Sequence, residues 1–243
     1  MPTVLLVRHG RTTANNSGVL AGRSPGVHLD EVGTAQADGV GRRLSDLPLT
    51  RLVSSPLARC RQTLAAIVTH QPTPPGPPEP VTEGALTECG YGEWTGQPLK
   101  KLARHPLWKT VQNQPSAVTF PDGESMQQMQ ARAVAAVRRH DAEVEEEHGP
   151  DALWLAVSHG DVIKSVLADA LGMHLDLFQR IVVTPGSVSV VRFTPGRPFV
   201  QHLNDSGSDL HALRPPKRRR RRRPSGDAAV GGGAGAGARD DTI

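Results

Sequence analysis

The sequence predicts an α/β fold with a parallel or mixed sheet. Three short apolar segments, each running into a Ser-rich or His-containing turn, and the helical stretches between them carry that reading. The segments are Val4-Leu5-Leu6-Val7, Arg51 to Ser54 and Leu153 to Ser158. Four consecutive apolar residues suit a strand buried on both faces. The turn after such a strand emerges at the carboxyl edge of the sheet, where open α/β folds place their ligands. At 243 residues the chain has ample capacity for one large domain.

Leu57, Cys60, Leu64 and Ile67 mark one face of a helix, which places Cys60 inside and Arg59 on a different face near the amino-terminal turn. Gln71 to Pro80 holds six prolines in ten residues and reads as an irregular or polyproline-like surface loop. Met126, Met129, Ala133, Val137 and Val144 recur at near-helical spacing behind the Pro121-Asp122-Gly123 turn, which predicts a long amphipathic helix from about 124 to 147. Its acidic run Glu143 to Glu147 is expected to be a solvated end. Val188 to Phe193 and Phe199 to Leu203 read as a closing pair of strands. The expected domain covers 1–213, and 214–243 is expected to be a disordered tail, first basic and then rich in Gly and Ala.

Charge is divided unevenly. After Pro216 the chain carries eight basic residues, Lys217, Arg218 to Arg223 and Arg239, against the three acids Asp227, Asp240 and Asp241. The body is left with 20 basic and 21 acidic residues, a net charge of −1. Val4 to Val7 is too short for a signal-peptide core, and no stretch approaches the ~20 apolar residues of a membrane span. A cytoplasmic protein without a membrane partner is expected. Cys60 and Cys89 form no C-x-x-C pair and read as small apolar fillers.

Three turns after apolar segments can share one sheet edge: Arg8-His9-Gly10, Ser54-Ser55-Pro56-Leu57-Ala58-Arg59, and Ser158-His159-Gly160. Two imidazoles and two guanidiniums converging there would make a pocket for a phosphate dianion. Arg presents a planar donor fork to phosphate oxygens, and helix amino termini add backbone N–H groups. A neutral His can attack phosphorus, and a carboxylic acid over the leaving oxygen supplies the proton an alkoxide needs. Glu88 is the candidate acid, with Glu83, Glu93 and Asp161 as nearby carboxylates that either share the role or are plain charges. Arg11, Arg23 and Arg61 read first as surface charges. A lone Arg-His-Gly is common by chance, so the joint occurrence of these motifs carries the catalytic reading.

These residues resemble the histidine phosphatase superfamily, also called the phosphoglycerate-mutase-like or RHG family, over roughly residues 3 to 204. Arg8-His9-Gly10 with Asn15 is similar to the family signature. Ser54 to Arg59 matches the second-arginine motif, Val157-Ser158-His159-Gly160 the second-histidine motif, and Glu88 the acid. The resemblance implies a three-layer sandwich, a mostly parallel central sheet with helices on both faces. It also implies a phosphohistidine on His9, with Arg8, Arg59 and His159 holding the phosphoryl oxygens. Glu88 would protonate the leaving group and then activate water. Asn15, Gly22 and the Gly160 N–H would line the phosphate and substrate edge, and neither a metal nor a cofactor is implied.

Cysteine phosphatases need an Arg six residues after the nucleophile, but position 66 after Cys60 is Ala and position 95 after Cys89 is Thr. No H-E-x-x-H or clustered His/Asp motif points to a metal site, and no strand pattern precedes the glycines of 231–237, so these are no nucleotide loop. Within the family, mutases carry a long insertion between the acid and a later Gly-Glu-Ser element, which shields the phosphoenzyme from water. Here only 34 residues separate Glu88 from Gly123-Glu124-Ser125. The short lid, Leu99 to Val118 with Lys100, Lys101, Arg104 and Lys109, argues for a water-accessible site. The expected activity is therefore hydrolysis of a small phosphorylated metabolite, with a phosphomutase as the alternative. An alternative of another class is nucleic-acid or acidic-surface binding through Lys217 to Arg223. Against it, the body is not basic, and an aromatic content of 3% offers few stacking platforms.

Overall fold

The computed structural model describes residues 1–73, 76–207 and 230–232. The first half contains β1 (Thr3–Arg8), α1 (Thr13–Ser17), α2 (Glu31–Arg43), β2 (Leu49–Ser54), α3 (Ala58–Val68) and β3 (Val81–Thr82). After it come α4 (Leu99–Leu102), α5 (Trp108–Asn113), α6 (Met126–His148), β4 (Leu153–Ser158), α7 (Gly160–Ala170), β5 (Val188–Phe193) and β6 (Pro198–Asp205). The strands form one sheet in the order β3-β2-β4-β1-β5-β6. The pairs β3–β2, β2–β4 and β4–β1 are parallel, and β1–β5 and β5–β6 are antiparallel. The expected mostly parallel sheet between helical layers is thus the observed architecture.

Alternation within the apolar runs explains why no polar residue interrupts them. Along β1, Val4 and Leu6 enter the core shared with α6 and α7, while Leu5 and Val7 enter the core shared with α2 and α3. Along β4, Trp154 and Ala156 face the first core and Leu155 and Val157 the second. Successive strand side chains point to opposite faces, so a strand covered by helices on both sides must be apolar at every position.

The long helix forms as its spacing predicts. Ser125 caps α6 by accepting from the Gln128 N–H, and the Gln128 side chain accepts from the Ser125 N–H in return. Met126, Met129, Ala133, Val137 and Val144 are buried, joined by Ala136, His140 and Asp141. The acidic end is not simply solvated, because Glu143 and Glu147 both pair with Arg51. Helix α2 escapes the apolar-period reading, since Gly33 and Gly41 take two positions of its buried face. β3 is only two residues long, at the end of the proline-rich loop. The expected domain boundary at 213/214 and the basic run 217–223 lie outside the described residues. Within the stretch expected to be disordered, Val230–Gly232 is described, as a turn whose Val230 is buried in the core beside α7.

Two glycines let the loop after β1 press onto α2. A Cβ on Gly10 would sit 2.3 Å from the Gly33 carbonyl oxygen, and one on Gly33 would sit 1.9 Å from that of Arg11. Both obstacles are backbone, which cannot swing aside. Gly33→Ala is therefore expected to lower stability by about 1–3 kcal/mol in urea melts, despite the better helix propensity of Ala. Turnover should fall with it, because the displaced loop carries His9. An unchanged melt and unchanged turnover would show that this contact constrains nothing.

Candidate active site

The parallel register of β1 and β4 pairs Arg8 with Ser158, so the next residue on each strand is a histidine. The His9 N–H donates to the Ser158 carbonyl at 3.0 Å, and the two imidazole rings meet edge to face with centroids 5.2 Å apart. Helix α7 begins directly after His159, its N-cap, and α3 begins four residues after β2 ends. Two helix amino termini thus lie at the same sheet edge, where their backbone dipoles favour negative charge.

Hydrogen bonds determine the tautomer of His9. Its Nδ1 lies 2.7 Å from the Gly10 carbonyl, which only accepts, so Nδ1 carries the proton and Nε2 keeps its lone pair. Arg59 Nε donates to that Nε2 at 3.3 Å, and Arg59 Nη2 donates to the Gly22 carbonyl at 2.8 Å. Burial, with the positive charges of Arg59 and Arg8 adding to it, holds the His9 pKa well below the ordinary histidine value. The ring is therefore neutral, as an attacking nitrogen must be. His159 is held neutral in the same way, by burial and then by Arg59. Its Nε2 lies 2.8 Å from Ser55 Oγ, which sets the ring plane.

Arg8 is wholly buried, and burial lowers its pKa to about 10, still cationic at neutral pH. Its Nη1 donates to the Val183 carbonyl at 2.7 Å and its Nη2 to the Gly231 carbonyl at 3.3 Å. Glu88 is 4% exposed, with Oε2 4.0 Å from His159 Nδ1 and Oε1 accepting from the Cys89 N–H at 2.9 Å. Burial first and the negative charge of Asp161 second push its pKa up to about 7, against the lowering by Arg59. A carboxylic acid that titrates near neutrality can both give and take a proton. Its loop is clamped from below: the Glu88 carbonyl accepts from Arg23 Nε at 2.8 Å and from Arg132 Nη2 at 3.2 Å. Glu124 bridges both guanidiniums.

Of the site residues expected from the sequence, His9, Arg59, Glu88, Asn15 and Gly22 line one pocket. Arg8 and His159, both fully buried, are not among the described residues that line it. Asn15 stands at the rim, but its Oδ1 is engaged by the Thr12 N–H and hydroxyl in the capping box of α1. Gly22 contributes its carbonyl to Arg59. Gly160, expected to offer an N–H to phosphate, opens α7 and is not among the described residues that line the pocket. The competing carboxylates separate clearly. Glu83 caps a turn and pairs with Arg139 and His140, and Glu93 is exposed. Asp161 is fully buried and accepts from the Tyr91 hydroxyl at 2.8 Å. Lys100, Lys101, Arg104 and Lys109 are all exposed, and from that lid segment only Leu99 reaches the pocket. Cys60 touches His159, and burial raises its thiol to about 12, so it is no nucleophile.

Sequence reasoning missed Ser55 as the orienter of His159 and the Tyr91–Asp161 pair. It also missed Thr63, whose hydroxyl accepts from the Gly10 N–H at 3.1 Å. Ser55 lies within the Ser54 to Arg59 motif, but Tyr91 and Asp161 are 70 residues apart and nothing local joins them. Among the described residues no cluster of His, Cys, Asp and Glu is arranged to hold a metal ion, and no helix is long and apolar enough to cross a membrane.

Known proteins are similar to this chain in sequence and in fold. The chain is 36% identical over 128 residues to fructose-2,6-bisphosphatase TIGAR of Xenopus tropicalis, a match covering 53% of this chain and 46% of that protein. The chain thus spans about half the length of that relative. It is 30% identical over 195 residues to the probable phosphoglycerate mutase GpmB of Yersinia pestis, covering 79% of this chain and 86% of the other. Among solved structures, the fold matches YhfR of Bacillus stearothermophilus at a TM-score of 0.74 and 24% identity, covering 84% of this chain and 98% of that one. It matches the α-ribazole phosphatase of Shigella flexneri at a TM-score of 0.72 and 22% identity, covering 86% and 98%. The histidine phosphatase superfamily (branch 1) profile matches residues 4–206, and the chain belongs to that family.

Proposed function

We propose that the chain is a metal-independent phosphatase that hydrolyses a small phosphomonoester through a phosphohistidine on His9. The observation that carries this reading is the state of His9. It is a neutral imidazole at the pocket wall whose unprotonated Nε2 accepts from Arg59 Nε, close to a carboxyl group that titrates near neutrality. In the first step the Nε2 lone pair forms the N–P bond as the P–O bond to the leaving group breaks. Glu88 gives its proton to the departing oxygen, releasing an alcohol. In the second step water attacks phosphorus, Glu88 takes the proton from that water, and the N–P bond breaks to release phosphate and neutral His9. Arg8, Arg59 and His159 hold the phosphoryl oxygens, so the arginines supply the positive charge that metallophosphatases take from a cation.

Hydrolysis is favoured over transfer by the lid. The segment between Glu88 and Gly123 folds as two short helices, α4 and α5, of four and six residues, and contributes Leu99 to the pocket. Such a cover leaves the phosphoenzyme open to water. The 30% identity to GpmB favours a phosphomutase as the second reading. The fate of the phosphoryl group separates the two, since a mutase returns it to a second hydroxyl of the substrate and a phosphatase releases it.

Rapid-quench labelling tests the nucleophile and the acid together. His9→Ala is expected to abolish turnover and the acid-labile, base-stable label seen with wild type. A label that persists would place the covalent step elsewhere. Glu88→Gln should slow phosphorylation on the order of 10²-fold for an alkyl phosphate and much less for p-nitrophenyl phosphate, whose leaving group needs no proton. Equal losses for both would remove Glu88 as the acid.

The raised Glu88 pKa sets the pH dependence. The acid must be protonated to donate, so the phosphorylation rate for an alkyl phosphate should decline above about pH 7. His9 stays neutral at lower pH, so the only acidic limb expected is that of the substrate phosphate, near pH 6. Asp161→Asn removes a negative charge that raises Glu88, and the basic limb should move to lower pH. A limb that stays in place would mean that another group titrates.

A further inference from the structure

The described end of the chain lies inside the pocket. Val230 is 2% exposed and belongs to the same apolar core as Leu20 and Tyr91. Gly231 is held from both sides: its N–H donates to Asp161 Oδ2 at 2.9 Å, and its carbonyl accepts from Arg8 Nη2 at 3.3 Å. Its φ of 75° is left-handed backbone that favours glycine, and a Cβ there would lie 2.9 Å from Leu20 Cδ1. Val230 and Gly231 line the pocket together with His9, Arg59 and Glu88. With the segment in place, the space left for water is about 20 Å³. That volume suits one water and not a phosphoryl group with its alcohol.

We propose that Val230–Gly232 is an internal strap that competes with the phosphorylated substrate for the catalytic pocket. A carbonyl oxygen on the fork of Arg8 occupies a donor that a phosphoryl oxygen requires, and Val230 fills apolar space against the core beside it. The strap and the substrate dianion therefore exclude one another. Substrate affinity is lowered by the fraction of molecules in which the strap is docked. Among the described residues, docking rests on the Val230 side chain and two backbone hydrogen bonds of Gly231, contacts weak enough for reversible exchange.

This inference rests on the phosphatase reading for its substrate, and its test includes a measurement that needs no turnover. Val230→Asp places a charge in the apolar seat, and Gly231→Pro removes the donor to Asp161 and forbids the positive φ. In the full-length chain, both variants should bind inorganic phosphate on the order of tenfold more tightly by calorimetry, and KM for p-nitrophenyl phosphate should fall by a similar factor. A peptide covering 227–235, Asp-Ala-Ala-Val-Gly-Gly-Gly-Ala-Gly, should inhibit the Val230→Asp variant competitively with substrate. Phosphate affinity unchanged or weakened in both variants would overturn the strap, even if turnover proceeds through His9. Tighter phosphate binding without hydrolysis of any phosphomonoester would leave the strap standing and remove the phosphatase reading.

Discussion

The parallel pairing of β1 with β4 is the interaction on which the site depends. Val7 lies opposite Val157 and Arg8 opposite Ser158, and the hydrogen bond from the His9 N–H to the Ser158 carbonyl extends that ladder one step beyond the strands. The two histidines are neighbours because the register leaves no other arrangement. A slip of one residue would exchange the side chains that face the two cores, placing residues sized for one helical layer against the other. The chemistry at the edge is therefore secured by apolar packing several residues below it.

Burial then sets the protonation states. His9 and His159 are enclosed beside two guanidiniums, so both the lost solvation and the neighbouring positive charge oppose protonation. Glu88, in the same enclosure, is pushed the other way, toward retaining its proton, by desolvation and by Asp161. One enclosed pocket thus holds a neutral imidazole beside a carboxyl group that titrates near neutrality. Asp161 is also where the Tyr91 hydroxyl and the Gly231 N–H converge, which links the surroundings of Glu88 to a segment that lines the pocket.

Legibility in the sequence tracked the range of the interactions. β1 and β4 were readable because a strand buried on both faces must be apolar throughout, and α6 because its apolar spacing persists along the helix with a capping box in front. α2 was hidden because its glycines serve close backbone approach, with Gly33 against the Arg11 carbonyl, and so break the apolar period. The three polar turns were legible as motifs, and placing them at one sheet edge brought them together. Glu83, Glu93 and Asp161 were indistinguishable by proximity in the chain. Only the structure separates a carboxylate tied to Arg139 and His140 from one buried against Tyr91.

By itself the sequence determined strands β1, β2, β4, β5 and β6, the two turns that carry histidine, the arginine at the head of α3 and Glu88 in its Leu-x-Glu setting, since each is encoded within a few consecutive residues, whereas the two-residue β3 carries no such pattern. The tertiary structure alone decided that the Glu88 carbonyl is held by Arg23 and Arg132, that Gly160 is not among the described residues lining the pocket, and that Gly231 lies against Arg8. Local propensity and periodicity are written into adjacent residues. A carbonyl meeting a guanidinium 223 positions away is written only into the packing that brings them together.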